Sequence, residues 1–542
     1  MNTQKILGMA LAMGALMPSA YAAQSLSVPG QDIRAQVPAP SAAVESSAPA
    51  ATADETKFTV RQAHIDAAEL RLDKNELARR LAPVIGHETT LSAVNAALAD
   101  ITSYCRSHGY PAAAAYLPAQ DSADGTVTVK VIPGRYGEVK LENHSKLKDR
   151  VARRFLTGLR AGEIIRSRAL ETALYSISDV SGTRAVGVLA PGKEFGTSDV
   201  TVRIEDGSQT NTVLYAENYG SKTSGRYRYG LQHTIYDIGG TGARTNLGGL
   251  ISNSHMHNYY ANYEMPVGRG GSTIGLGVSQ MDYKLGGAMR DWGANGKADT
   301  VSLFGSYPLY HTHDGQLKLS YGYDYRRLKD DLDLFAGLAD SKKHTHSVHV
   351  GVTGAASLPG TALSYDATVT TGRLGADSSF AEVQTQTAKT DGSYTKLSVD
   401  GTVVRSLGHS ADVLVKASGQ MASRNLDGSE QMYLGGANAV RAYPQGEGSG
   451  DVGLLGTAEV RLYTDVPGLV LSTYLDAGHV RLSHDGSDGS ETLKGWGLAA
   501  SYTRPGDWFA RLDYARRIGA SKYLSEDAKS KGRVWFLLGK IW

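Results

Sequence analysis

The residues best placed to do chemistry are one cation and one carboxylate, each in unusual company. Arg441 stands in Val440-Arg441-Ala442-Tyr443, bracketed by Gly435, Gly436, Gly446, Gly448 and Gly450. A stretch so rich in glycine is too flexible for a helix and too long for a tight hairpin turn, so it reads as a long loop that carries Arg441 to a partner. Asp476 stands in Tyr474-Leu475-Asp476-Ala477-Gly478, where period-two alternation puts Tyr474, Asp476 and Gly478 on one strand face and Leu475 and Ala477 on the other. A carboxylate on a strand of a membrane-like sheet is costly unless its face lines a wet lumen and meets a cation. Arg441 is the expected cation, its fork matching the carboxylate with two hydrogen bonds. The expectation is a lone ion pair in wet surroundings, weakly held.

Other reactive residues point nowhere as definite. His311 and His313, like His344 and His346, are spaced to share a strand face. A metal site needs three or four converging ligands, and no carboxylate or thiolate stands beside either pair in a recognisable spacing, so no metal is assigned. There is no phosphate-cradling glycine loop with its Lys, no nucleophile elbow and no pair of catalytic carboxylates. The chain reads as no enzyme and as needing no cofactor. With 56 basic against 54 acidic residues it offers no electrostatic reason for a nucleic-acid partner. The single cysteine, Cys105, rules out an intrachain disulfide and is expected to be a buried core thiol.

From about Asn211 to Trp542 the chain alternates, with no apolar run long enough for a transmembrane helix. Leu317, Leu319, Tyr321, Tyr323 and Tyr325 face one way, and Lys318, Ser320, Gly322, Asp324 and Arg326 the other. Tyr227, Tyr229 and Leu231, Tyr259, Tyr263 and Met265, and Ile274, Leu276 and Val278 repeat the pattern. Apolar and aromatic outside with polar and glycine inside is the pattern of a transmembrane barrel, and an excess of Tyr over Phe, 29 to 8, suits aromatic girdles. At about 10 residues per strand plus turns, the stretch accommodates about 16 antiparallel strands. It ends with Val534, Phe536, Leu538, Lys540 and Trp542 on one face.

Ahead of the barrel the composition changes several times. Residues 1–22 read as a secretory signal, with Lys5, an apolar run from Ile6 to Met17 and the Ala20-Tyr21-Ala22 cleavage site. Residues 23–56, rich in Ala, Pro and Ser, read as a linker. Residues 57–135 and 136–207 each give the order strand, helix, helix, strand, strand, a tandem repeat of one small α+β unit. In the first unit Thr90 is the expected cap of a helix whose buried stripe is Leu91, Val94, Leu98, Ile101 and Cys105. The predicted fold is therefore multidomain: two small α+β domains, then an all-β transmembrane barrel over residues 208–542.

The paired loop and strand motifs, in this order, resemble those of the outer-membrane two-partner secretion transporters (TpsB family, haemolysin activator type). There an aromatic-ended Val-Arg-Gly loop folds into the barrel and touches an Asp in an aromatic-x-Asp-x-Gly strand. Ala442 stands where that family has Gly, and a left-handed backbone at this position would strain an Ala. His108-Gly109-Tyr110, Gln120-Asp121 and Val131-Ile132-Pro133-Gly134-Arg135 resemble periplasmic polypeptide-transport-associated (POTRA) domains. The last strand, ending in Trp542, resembles the signal read by the outer-membrane assembly machinery. Pro29-Gly30 interrupts Gln24 to Gln36, the only candidate for the plug helix that members often carry. The resemblance implies a pore in the outer membrane of a Gram-negative bacterium, in contact with outer-membrane lipid, with its small domains in the periplasm. It would export one secreted β-helical exoprotein, an adhesin, haemolysin or contact-dependent toxin. An insertase of the same superfamily, usually with more tandem modules, is the alternative in descent. A small-molecule porin or receptor is the alternative of another class, but residues 57–205 would have no use in a porin.

Overall fold

The computed structural model describes residues 43–44, 57–120, 124–519 and 525–542. The expected signal peptide, the plug-helix candidate and all of the linker except Ala43–Val44 lie outside the described residues.

In the first module a sheet of β1 (Gln62–Asp66), β2 (Ala114–Tyr116) and β3 (Thr126–Ile132) packs under helices α1 (Lys74–Leu81) and α2 (Leu91–Ser107). Asp73 caps α1 through Asn75 N at 2.9 Å, and Thr90 caps α2 through Ala93 N at 3.2 Å. The buried stripe of α2 starts at Val94, because Leu91 occupies the first helical position and stands half outside the core. Cys105 lies wholly inside that core, and burial pushes its thiol pKa up. The first strand of the expected order is split in two, since Lys57–Thr59 leaves β1 to pair with Glu88–Thr90.

The second module repeats the topology with β4 (Arg135–His144), α3 (Asp149–Phe155), α4 (Ser167–Ser181), β5 (Arg184–Pro191) and β6 (Thr197–Glu205). In both units the last strand runs parallel to the first strand and antiparallel to the second, giving sheet orders β1-β3-β2 and β4-β6-β5. Leu170, Leu174 and Ile177 of α4 seal the second core against Val200, Val202 and Ile204. On the free edge of β5, Ala43–Val44 adds as a short parallel strand opposite Val188 and Leu189.

The rest is a closed barrel of sixteen antiparallel strands. They are β7 (Thr210–Glu217), β8 (Arg228–Tyr236), β9 (Arg244–Ser252), β10 (Met256–Pro266), β11 (Thr273–Lys284) and β12 (Ala294–Thr312). Then come β13 (Gly315–Leu332), β14 (Ser341–Leu358), β15 (Thr361–Ala376), β16 (Gly392–Ser406) and β17 (Ala411–Ala422). The last five are β18 (Val452–Tyr463), β19 (Leu469–Arg481), β20 (Ser490–Thr503), β21 (Trp508–Arg517) and β22 (Gly532–Ile541). Closure pairs Val213–Glu217 with Leu537–Ile541, and Thr212 and Trp542 exchange backbone hydrogen bonds at 3.2 and 3.0 Å. Tyr229, Leu231, Tyr259, Leu276, Tyr321 and Tyr323 are exposed on the outer wall, as the alternation predicts, while Gly230, Glu264 and Arg326 turn inward and are buried. Val534, Leu538 and Trp542 face outward on β22, with Trp535 and Leu537 inward.

The second module meets the barrel through α4 and the turn between β12 and β13. His311 Nδ1 lies 2.8 Å from Asp179 and His313 Nδ1 3.0 Å from Glu171. The His311 ring stacks on Tyr175 at 4.2 Å, and Arg168 lies 4.1 Å above the Tyr310 ring. The first histidine pair thus docks a domain. His346 of the second pair bonds Tyr323 Oη at 2.6 Å, and His344 bonds Asp377 at 2.8 Å.

Candidate functional site: a loop fastened inside the barrel

The hairpin turns after β8 and β12 contact the second module, Lys148 N donating to Gly240 O at 3.0 Å in one of them. Strand alternation then puts the connection between β17 and β18, residues 423–451, at the opposite end of the barrel. It folds back into the lumen. Met432–Tyr433 pairs with Ser449–Gly450, Leu434 N donates to Gly448 O at 3.0 Å and Val440 N to Leu434 O at 2.8 Å, so the loop is a narrow hairpin with a wider tip.

The tip is seated on apolar contacts. Leu434, Val440, Ala442 and Tyr443 are buried against Tyr474, Val480, Leu493, Ala499 and Ala515 of the wall. Gly478 ends the strand motif for a steric reason: a Cβ there would lie 2.8 Å from Leu434 Cδ2. Ala442 is not in the left-handed region, since among the described residues only Asp237, His255 and Lys389 are non-glycines with positive φ. The strain that an Ala would suffer there does not arise. Its methyl group instead faces Gly495 of β20, where an added Cβ would lie 2.6 Å away.

Arg441 crosses from this seat to the wall. Its Nε and Nη2 donate to the two carboxylate oxygens of Asp476 at 2.9 and 2.8 Å, and its backbone N donates to Asp476 Oδ2 at 3.1 Å. Thr457 Oγ1 donates to the same carboxylate at 2.9 Å. The guanidinium carbon lies 3.1 Å from the Tyr474 ring centroid, which places Tyr474 and Asp476 on one lumen face as alternation requires. Trp535 Nε1 donates to the carbonyl of Arg441 at 2.7 Å.

Two expectations need correction. The pair is not alone: Arg441 Nη1 also reaches Glu459 at 3.0 Å and Asp513 at 3.3 Å, and Arg511 bonds both of those carboxylates. Nor is it wet, because the loop covers this part of the wall and leaves Arg441 6% and Asp476 2% exposed. Glu459, Asp513, Arg511 and Trp535 lie outside both motifs. The signal for them was present in the alternation, which makes Arg511 and Asp513 same-face neighbours on β21 and Glu459 an inward charge on β18.

A closed sixteen-stranded barrel, with a lumen loop fastened by charge and small domains docked at one mouth, defines an outer-membrane transporter. The model of the haemolysin secretion/activation protein ShlB/FhaC/HecB family matches residues 196–502, and a ShlB-type POTRA domain matches residues 58–134. The chain belongs to this family of outer-membrane secretion transporters, with its POTRA domains in the periplasm. It is 27% identical over 504 residues to the heme/hemopexin transporter protein HuxB of Haemophilus influenzae, covering 90% of this chain and 87% of that one. It is 24% identical over 477 residues to the outer membrane transporter CdiB of Dickeya dadantii, covering 84% and 81%. Its fold is similar to that of CdiB from Escherichia coli, with a TM-score of 0.71, 22% identity and coverage of 92% and 94%.

Proposed function

We propose that the chain secretes one large β-helical exoprotein, an adhesin, haemolysin or contact-dependent toxin, by capturing it on residues 57–135 and 136–207 and passing it through residues 208–542. The single observation that carries the capture step is the outer edge of β5, which accepts Ala43–Val44 as an added strand beside Val188 and Leu189. An unfolded exoprotein segment can add in the same way. Arg441, held by Asp476 with Tyr474 beneath it, positions the loop in the pore, and Val440, Ala442, Tyr443 and Gly478 shape its seat. The strand ending in Trp542 serves the assembly machinery, and the outer wall is matched to outer-membrane lipid. No nucleotide site is assigned, so folding of the exoprotein outside the cell supplies the drive.

The test removes Phe58 to Glu205 and follows the exoprotein in culture medium. The truncated barrel is expected in the outer membrane, heat-modifiable on a gel, with export abolished. Undiminished export would take the modules out of the mechanism.

A further inference from the structure

The Arg441 cluster holds only the tip of the loop. The approach to it, residues 427–430, meets other strands with the charges reversed. Glu430 Oε1 lies 2.9 Å from Arg326 Nη1 on β13, and Glu430 Oε2 2.6 Å from Lys396 Nζ on β16. The Glu430 carbonyl accepts from Lys396 Nζ and from Gln420 Nε2 of β17, both at 3.2 Å. Asp427 Oδ2 lies 2.6 Å from Lys343 Nζ on β14. Arg326, Lys343, Lys396, Gln420 and Glu430 are buried, Glu430 at 3% exposure, and Asp427 is nearly so. Arg441 binds β18, β19 and β21. In the ring of sixteen, β13, β14 and β16 are the seventh, eighth and tenth strands, and β18, β19 and β21 the twelfth, thirteenth and fifteenth. The segment from Asp427 to Arg441 therefore runs between two separate arcs of the wall.

The two ends differ in kind. The Arg441 end combines its ion pairs with the apolar seat of Leu434, Val440, Ala442 and Tyr443 and with the Trp535 bond. The Glu430 end is held by ion pairs and hydrogen bonds. A buried ion pair is close to break-even against two hydrated ions, so water entering on that side costs it its advantage, while the apolar seat stays favourable. Resting on the reading of the loop given above, we propose that Glu430 and Asp427 are positioning residues of a second, releasable fastening. It opens when an unfolded polypeptide is threaded, the loop swinging from the β13–β16 wall about Arg441.

The test uses the full chain with three changes. In planar bilayers Glu430→Gln is expected to raise the open-to-closed ratio by about tenfold, which corresponds to about 1.4 kcal/mol. Glu430→Gln/Lys396→Met, which removes a cation together with the anion, should do the same with heat-modifiability kept. In cells, Glu430→Cys/Lys396→Cys bridged by a short reducible bis-methanethiosulfonate should stop export, and reduction should restore it; Cys105, wholly buried, does not compete for the reagent. An unchanged open-to-closed ratio, failure of both charge variants to assemble, or export continuing through the bridge overturns the proposal. Arg441→Ala, run alongside, separates the two ideas. Normal export by Arg441→Ala refutes the loop reading itself, whereas lost export there beside unaltered Glu430 variants refutes only the second fastening.

Discussion

Arg441→Ala and Asp476→Asn should not be equivalent, although they remove the two ends of one contact. The cluster holds two cations, Arg441 and Arg511, against three carboxylates, Asp476, Glu459 and Asp513. Removing Arg441 leaves one cation for three buried anions, and breaking a buried pair this way costs about 3–5 kcal/mol. Neutralising Asp476 leaves two cations for two anions and forfeits hydrogen bonds to a charged group, about 1.5–3 kcal/mol. The double variant relieves the uncompensated Asp476 charge, so it should recover about 1–3 kcal/mol relative to additivity and hold the loop better than Arg441→Ala alone. The assay is a spin label at Asn438→Cys, an exposed site on the tip, in a chain whose own cysteine is buried. The mobile fraction of the label should rank Arg441→Ala highest, the double variant next and Asp476→Asn lowest, with export defects in the same order. Equal effects of the two single variants, or a double variant at the additive sum, would refute the charge-balance argument.

Gly495→Ala sets a methyl group 2.6 Å from that of Ala442 and should displace the loop at a cost of about 1–3 kcal/mol, lowering export in a secretion assay. Adding Ala442→Gly should restore it, and a lack of rescue would separate Gly495 from the loop. At the domain junction, the hydrogen bond from His313 to Glu171 holds the imidazole pKa above its ordinary 6.5, assisted by the charges of Glu171 and Asp314. A raised pKa means that protonation favours docking fully below the undocked value, and that this contribution is lost as pH rises through the docked one. Label-to-label distances between α4 and the barrel should therefore broaden from pH about 6 to about 8 and lose that response in His313→Ala.

What was legible in the sequence follows from what local periodicity can carry. Outward Tyr229, Leu231 and Tyr323 were visible because a strand between lipid and lumen must alternate, and Thr90 because a helix must begin with unsatisfied N–H groups. The meeting of Arg441 and Asp476 was legible because each charge is conspicuous among small or apolar neighbours. The partners Glu459 and Asp513 were hidden by register, which no local pattern states: Glu459 stands opposite Tyr474, and Thr457 opposite Asp476. The dryness of the site was hidden too. An inward polar face implies a wet lumen only if nothing else occupies it, and here the occupant is the chain's own loop. The docking role of His311 and His313 was hidden because their acceptors, Asp179 and Glu171, lie in another domain.

Holding such a loop by buried charge follows from how the barrel is stabilised. The wall is a continuous ladder of sixteen strands, with Asn218 extending the closing seam by bonds to Val534 and Phe536 at 2.9 and 2.7 Å. Its integrity does not depend on the loop, so the loop contacts can be chosen for position and release. Apolar contacts alone are non-directional and would let the tip slide along the wall. A guanidinium bound through two nitrogens to Asp476, a third to Glu459 and Asp513, and pinned by its own backbone to Trp535, fixes both place and orientation. Gly478 and Gly495 then make the seat fit only a loop with Leu434 and a small residue at position 442. Charge gives the tip its address and glycine gives it room, which is why the two motifs stand 35 residues apart from Arg441 to Asp476 and still read as one site.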